Sequence, residues 1–447
     1  MIYEKNRQIT SVIYIFITQT KIKSMKKYLL LFALVLGALH SFSQDFDEIK
    51  KTILLQKYDK AKPMLDSYLS VEKNASKPEG WYYKAYLYSA LGRDTTKPMN
   101  ESTSLYQGAF DAIKKYAELD PAAPLTVAES NATVYNTYYG FYDLGIKTYN
   151  NKNYEESYNE FKKALDVHDY IYNKNLSGYQ GLKFSGHDTD IVWNLAVLAN
   201  ELKKKDETLN YYKKIADAGL GDEKYAGAYD ELLQKYKKEK NTELFNKYLA
   251  AAKKFYPIDK AYWESMEIDY TTEGLENEAL LNKYEELTTQ LPDNYMVFYN
   301  YAIEIDRFIN SADSKGKDIN AYKKKIPELF KKAIAIKSTI EANLQMANLY
   351  YSNSYENQEM AGRIKGTKPE EVKRKNELNA LSKQALSDAI PYGEEAVKQL
   401  AALKEYKFSD KTNYKLACEI LSHAYKSAGN AAKASEYEAK RAAIDKM

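Results

Sequence analysis

Three histidines and one cysteine are the only residues beyond residue 43 that could serve as soft metal ligands or pH-poised nucleophiles, because His40 lies in an apolar leader segment. His187 stands in FSGHDTD beside Asp188 and Asp190, the one stretch that resembles a ligand cluster. The same residues suit a capping loop before the helix holding Trp193, with Asp190 as N-cap, and that reading is preferred. His168 and His423 have no partner at catalytic spacing. Cys418 occupies a large apolar position and reads as a small buried hydrophobe. Phosphate loops, nucleophile elbows and metal-ligand spacings do not occur. The expectation is a protein that is not an enzyme, with no catalytic residues, no metal and no cofactor.

Chemistry of contact is better supplied. The chain has 43 tyrosines in 447 residues, and most recur at helical rather than alternating spacing. Residues 1–43 hold six of the 65 basic residues and one of the 62 acids, which leaves 59 against 61 and a net charge near −2. Such a balance offers no footprint for nucleic acid.

The leader comes first among the elements. Lys26 and Lys27 precede the apolar run Tyr28 to Leu39, and Ser41 and Ser43 are small residues at the positions a signal peptidase reads. Residues 25–43 are therefore expected to be a signal peptide cleaved before Gln44, and residues 1–24 a misassigned start or an extension. No cysteine follows the apolar run for a lipid anchor, and no later run is long enough to span a bilayer. The expected product is exported and soluble in the periplasm or outside the cell, without membrane insertion.

The remaining chain, 44–447, repeats one unit. Its clearest copy reads Phe141-x-x-Leu144-Gly145-x-x-Thr148, then Ser157, Phe161 and Ala164. Trp81, Lys84, Ala85 and Tyr88 begin another, with Ala109 and Ile113 after an insertion; Phe298, Tyr301, Ala302 and Ile305 begin a third, completed by Phe330 and Ala333. This pattern resembles the tetratricopeptide repeat, in which small residues let two antiparallel helices approach and large ones fill the groove to the next pair. The tyrosine, lysine and asparagine richness is similar to that of exported proteins of the Bacteroidetes type.

The resemblance implies an all-α, right-handed superhelical solenoid of antiparallel helix pairs. About nine units are expected, with insertions near 93–104, 172–188, 309–321 and 353–382. Pro327 and Pro391 fall inside second helices and are expected to kink them. Thr367-x-x-Glu370 suggests a capping box inside the last insertion.

First helices of such solenoids line a groove. Counting along the repeat places Tyr82, Tyr86, Tyr142, Tyr149, Trp193, Asn200, Tyr299, Asp306 and Tyr351 on its wall, which reads as aromatic and mostly uncharged. The clamp by which some members hold a C-terminal carboxylate is absent, since Tyr142 stands where its lysine would be and only Asn194 matches. A scaffold for protein or peptide partners is the expected function. The alternative is a glycan or peptide binder for nutrient capture.

Overall fold

The computed structural model describes residues 44–444. The signal peptide and the residues before it lie outside the described residues. Within them the chain forms twenty α-helices and no strand, and it divides into two compact units at Tyr256 and Pro257.

The first unit pairs α1 (Gln44–Leu54) with α2 (Tyr58–Leu69), α4 (Pro78–Gly92) with α5 (Met99–Leu119), and α7 (Ala132–Asn150) with α8 (Tyr154–Asn173). Then α9 (Thr189–Glu201) pairs with α10 (Lys205–Asp217), and α11 (Ala226–Lys238) with α12 (Thr242–Phe255). Two short helices, α3 (Glu72–Ala75) and α6 (Pro124–Ala128), fill the gaps before α4 and α7. The second unit pairs α13 (Lys260–Thr272) with α14 (Asn277–Gln290), and α15 (Tyr295–Ile309) with α16 (Asn320–Ile336). After these, α17 (Ile340–Arg363) pairs with α18 (Pro369–Ala401), and α19 (Phe408–Ser427) with α20 (Ala431–Ile444).

The repeat residues explain the pairing. In α7 and α8, Phe141, Phe161 and Ala164 are wholly buried, and Ser157 donates its hydroxyl to the Gly145 carbonyl at 2.8 Å. A β-carbon on Gly145 would sit 3.0 Å from the Phe161 ring, so a larger residue there would push that ring aside. Thr148, where the repeat usually has tyrosine, turns its hydroxyl back to the Leu144 carbonyl at 2.7 Å.

One device ends most first helices. Gln56, Lys152, Lys203, Lys240 and Gly429 take left-handed backbone, and the next residue's N–H reaches five residues back, as from Asn153 to Thr148 at 2.9 Å and from Lys204 to Ala199 at 2.8 Å. This is the Schellman closure, which satisfies the last carbonyls and reverses the chain.

Tyrosine stitches pair to pair. Hydroxyls of Tyr88, Tyr158, Tyr248, Tyr301 and Tyr425 donate to Asp66, Glu207, Asp217, Glu285 and Glu394 respectively, each on a helix of the neighbouring pair. A lysine ammonium lies over every one of these rings: Lys84, Lys204, Lys247, Lys325 and Lys433, 4.5–5.4 Å from the ring centres. These five tyrosines are therefore consumed in seams rather than in a groove.

Three sequence expectations shift. Helices α16 and α18 run unbroken through Pro327 and Pro391; Pro391 and Ser387, whose carbonyl loses its donor, both face solvent, where water replaces the missing N–H. The cap of α18 sits one residue later than the Thr367 box, because Pro369 fixes the first helical position and Glu371 accepts from the Lys368 N–H at 3.1 Å. Residues 353–382, expected as a partly helical insertion, lengthen both helices of their pair.

Candidate binding surface

The surface is built where first helices of adjacent pairs meet. On α7, half-buried Tyr142 lies beside the Asn194 side chain of α9. Burial, and after it the charges of Asp190, Asp188 and Asp143, push its hydroxyl up to about 12. Acids therefore stand beside the aromatic residues of a wall expected to be mostly uncharged. Trp193 stacks on Tyr212 at 6.4 Å and meets the edge of Tyr225 at 5.1 Å, with part of its face open. Tyr139, one turn before Tyr142 and Asp143, is 44% exposed.

The segment 174–188 folds over one end of this surface. Phe184 inserts between Tyr135 (4.9 Å), Tyr138 (4.7 Å) and His168 (5.0 Å, stacked). Tyr135 donates its hydroxyl to the Leu182 carbonyl at 2.9 Å, and the Asn131 amide donates to the Ser177 carbonyl at 2.8 Å. His168 is thus packed away from solvent. His187 is exposed, and the N-cap of α9 is Asp188 rather than Asp190: its backbone is extended, so its carboxylate turns back to accept the Ile191 N–H at 3.1 Å. The second oxygen of Asp188 accepts from Tyr138. Among the described residues no group of three or more His, Cys, Asp or Glu is arranged to hold a metal.

A second cluster lies where α4 meets α6 and α7. Tyr82 is buried in the core and is no wall residue: it packs on Tyr83 and Tyr116, and its hydroxyl meets the Glu129 carboxyl. Tyr86, half-buried beside it, bonds Tyr58. Glu129 is half-buried as a residue, yet atoms crowd its carboxyl from all sides, and burial pushes it up to about 7 against hydrogen bonds from Thr133 and Tyr82 and the charge of Arg93. Ser130 and Asn131, which follow, both hold left-handed backbone, a conformation that costs a non-glycine residue about 1 kcal/mol.

The other predicted positions separate. Tyr149 packs against Tyr154 at the α7–α8 turn, 5.4 Å between rings, and Asn200 is exposed on α9. In the second unit, Tyr299 stacks on Tyr295 at 5.4 Å, and exposed Asp306 accepts the Asn310 amide. Tyr351 shares a hydrogen bond with Tyr355 at 3.0 Å and meets the edge of His423 at 5.5 Å, an α17–α19 seam beside the Glu419–Arg441 ion pair. Spacing alone missed Glu129, Phe184, Tyr139 and the exposed pair Tyr355 and His423. Only Tyr139 and Tyr355 carried a signal, as tyrosines within a turn of predicted ones. Cys418 is fully buried, and burial pushes its thiol up to about 11, far from a reactive thiolate.

Helix pairs closed by small buried residues and stitched by large ones define a tetratricopeptide-like helical-repeat protein. No protein-family model and no curated protein matches the chain. Among solved structures it is similar to a human IFIT1 dimer with PPP-AAAA, at 14% identity over 94% of each chain and a TM-score of 0.22. Yeast Tom70 aligns at 12% identity over 92% of this chain and 96% of that one, with a TM-score of 0.20. The APC/C hetero-tetramer Cut9-Hcn1 aligns at 13%, over 93% and 89%, with a TM-score of 0.16. Likeness this loose adds nothing to what the helix pairs themselves establish.

Proposed function

We propose that the chain is a non-catalytic binding scaffold, exported to the cell envelope or beyond it, that holds a protein or peptide partner along the first-helix face of its first unit. The observation that supports this reading is the seam of Tyr142 and Asn194, flanked by Tyr139, Trp193 and three aspartates. Tyrosine and tryptophan give large contact area with polar tips, at little loss of side-chain freedom. The acids around Tyr142 favour a partner segment carrying lysine or arginine. Export is supported by the leader in 25–43. A glycan remains the second reading because of Tyr351, Tyr355 and His423, whose open rings beside Arg441 and Glu419 suit the faces and hydroxyls of a sugar.

The test uses envelope extracts of the native host. Tagged protein should retain a stable partner, and Tyr139→Ser with Trp193→Ala should release it while far-UV circular dichroism stays helical. Retention by the double variant refutes the assignment. A glycan-array signal abolished by Tyr351→Ala, with no protein retained, establishes the second reading instead. Mass spectrometry of the exported chain should show Gln44 at its N-terminus.

A further inference from the structure

Helices α17 and α18 run 24 and 33 residues, against 15 and 17 in the pair before them. Their shared extension, 353–382, reaches roughly 15 Å past the point where a shorter pair would turn. Only Ser354, Ala361, Leu378 and Ser382 are buried in it, all on the facing sides of the two helices, and Ser354 and Ser382 close that contact with a 2.7 Å hydrogen bond. Ion pairing reaches the extension from another helix at its base, between Lys323 and Glu356.

The tip has a composition unlike the rest of the chain. Residues 360–375 hold six basic residues and two acids in a chain that is otherwise close to neutral. Arg363 and Arg374 are paired with Glu359 and Glu377, and Glu371 is engaged in the cap of α18. Lys365, Lys368, Lys373 and Lys375 have no carboxylate partner among the described residues. Between them, Met360 is 42% and Val372 45% exposed, and Ile364 is half-buried in the turn.

We infer that this tip docks on an anionic phospholipid surface. Four unpaired ammonium groups and two exposed apolar side chains lie in the turn of a projecting hairpin and in the helix ends that flank it. The charges suit acidic headgroups, and Met360 and Val372 suit the boundary just beneath them. An acidic protein would ask for a groove or a shaped face, and a narrow convex tip offers neither. Docking does not require crossing: no described helix is long and apolar enough to span a membrane.

Sedimentation with vesicles tests this, using the chain from Gln44 onward, which carries the twenty described helices. Vesicles of phosphatidylcholine with phosphatidylglycerol should carry the protein down, vesicles of phosphatidylcholine alone should not, and added salt should release it. Changing Lys365, Lys368, Lys373 and Lys375 to glutamine should weaken binding by at least about tenfold. Met360→Ser with Val372→Ser should weaken it without changing charge, and circular dichroism confirms that both variants keep their helices. Equal binding to the two vesicle types, no binding to the anionic ones, or unchanged binding by the lysine variant overturns the inference. So does an acidic protein captured through the tip in the absence of vesicle binding.

Discussion

A carboxyl that titrates near neutrality inside a helical stack ties folding to pH. In the unfolded chain a glutamate loses its proton near 4.5; in the folded chain burial holds Glu129 to about 7. Between those values the folded state keeps a proton that the unfolded state has released, so this group's contribution to stability falls as pH rises through the window. Burial raises Glu79, Asp143 and Asp166 too, in the same sense. Asp217 acts in the opposite sense, because hydrogen bonds from Lys213, Lys247 and Tyr248 outweigh its burial and lower it to about 2; its contribution is lost only as pH falls below the ordinary aspartate range. Thermal unfolding followed by circular dichroism should give a higher midpoint at pH 5 than at pH 7.5, and Glu129→Gln should shrink the difference; an unchanged difference would show that Glu129 does not titrate there. Little of this was legible in the sequence. Tyr142 and Trp193 could be found because aromatic residues at first-helix spacing declare a face. Tyr82 lies on the same helix one turn before Tyr86, but α6 and Glu129 close over it, and no local pattern reports what a later segment will cover.

At the scale of the helix, the prolines give the sharpest prediction. Pro391 sits in the interior of α18, where its ring costs the helix a hydrogen bond, and nothing in the fold uses the residue, which faces solvent. Pro391→Ala should stabilise the chain by about 2 kcal/mol, the helix penalty of proline less its stiffening of the unfolded chain. Urea unfolding would show this as a higher midpoint at unchanged slope, and a lower midpoint would mean that the proline shapes the pair after all. The two caps named from sequence lie one and two residues from their places, and the errors have causes. The caps of α9 and α18 moved because extended backbone at Asp188 and the fixed torsion of Pro369 decide which residue is last outside the helix, and side-chain type does not. The turns escaped notice for a related reason: Lys152, Lys203 and Lys240 adopt a conformation usually announced by glycine.

For the molecule as a whole, the pattern of small and large residues was legible because each pair is closed locally, Gly145 against Phe161 and Ser157 against Gly145, within one stretch of chain. The division at Pro257 was not, since Pro121 and Pro292 follow second helices in the same way and mark no division. Tyr256 closes the first unit by burying its ring and donating its hydroxyl to the Asp222 carbonyl at 3.1 Å, whereas Ile258 is 98% exposed. Residues 44–256 should therefore fold alone, with a cooperative helical unfolding transition; a non-cooperative melt would show that the unit depends on the second. The tyrosine seams have a further consequence, for alkaline solution. Burial first, and the accepting carboxylates second, keep these phenols protonated beyond their ordinary range, to about 12 for Tyr88. Above pH 10 an unfolded tyrosine gives up its proton and a seam tyrosine does not, so every seam then favours the unfolded chain. Stitches that hold neighbouring pairs together in neutral water become, in alkali, the points at which the stack comes apart.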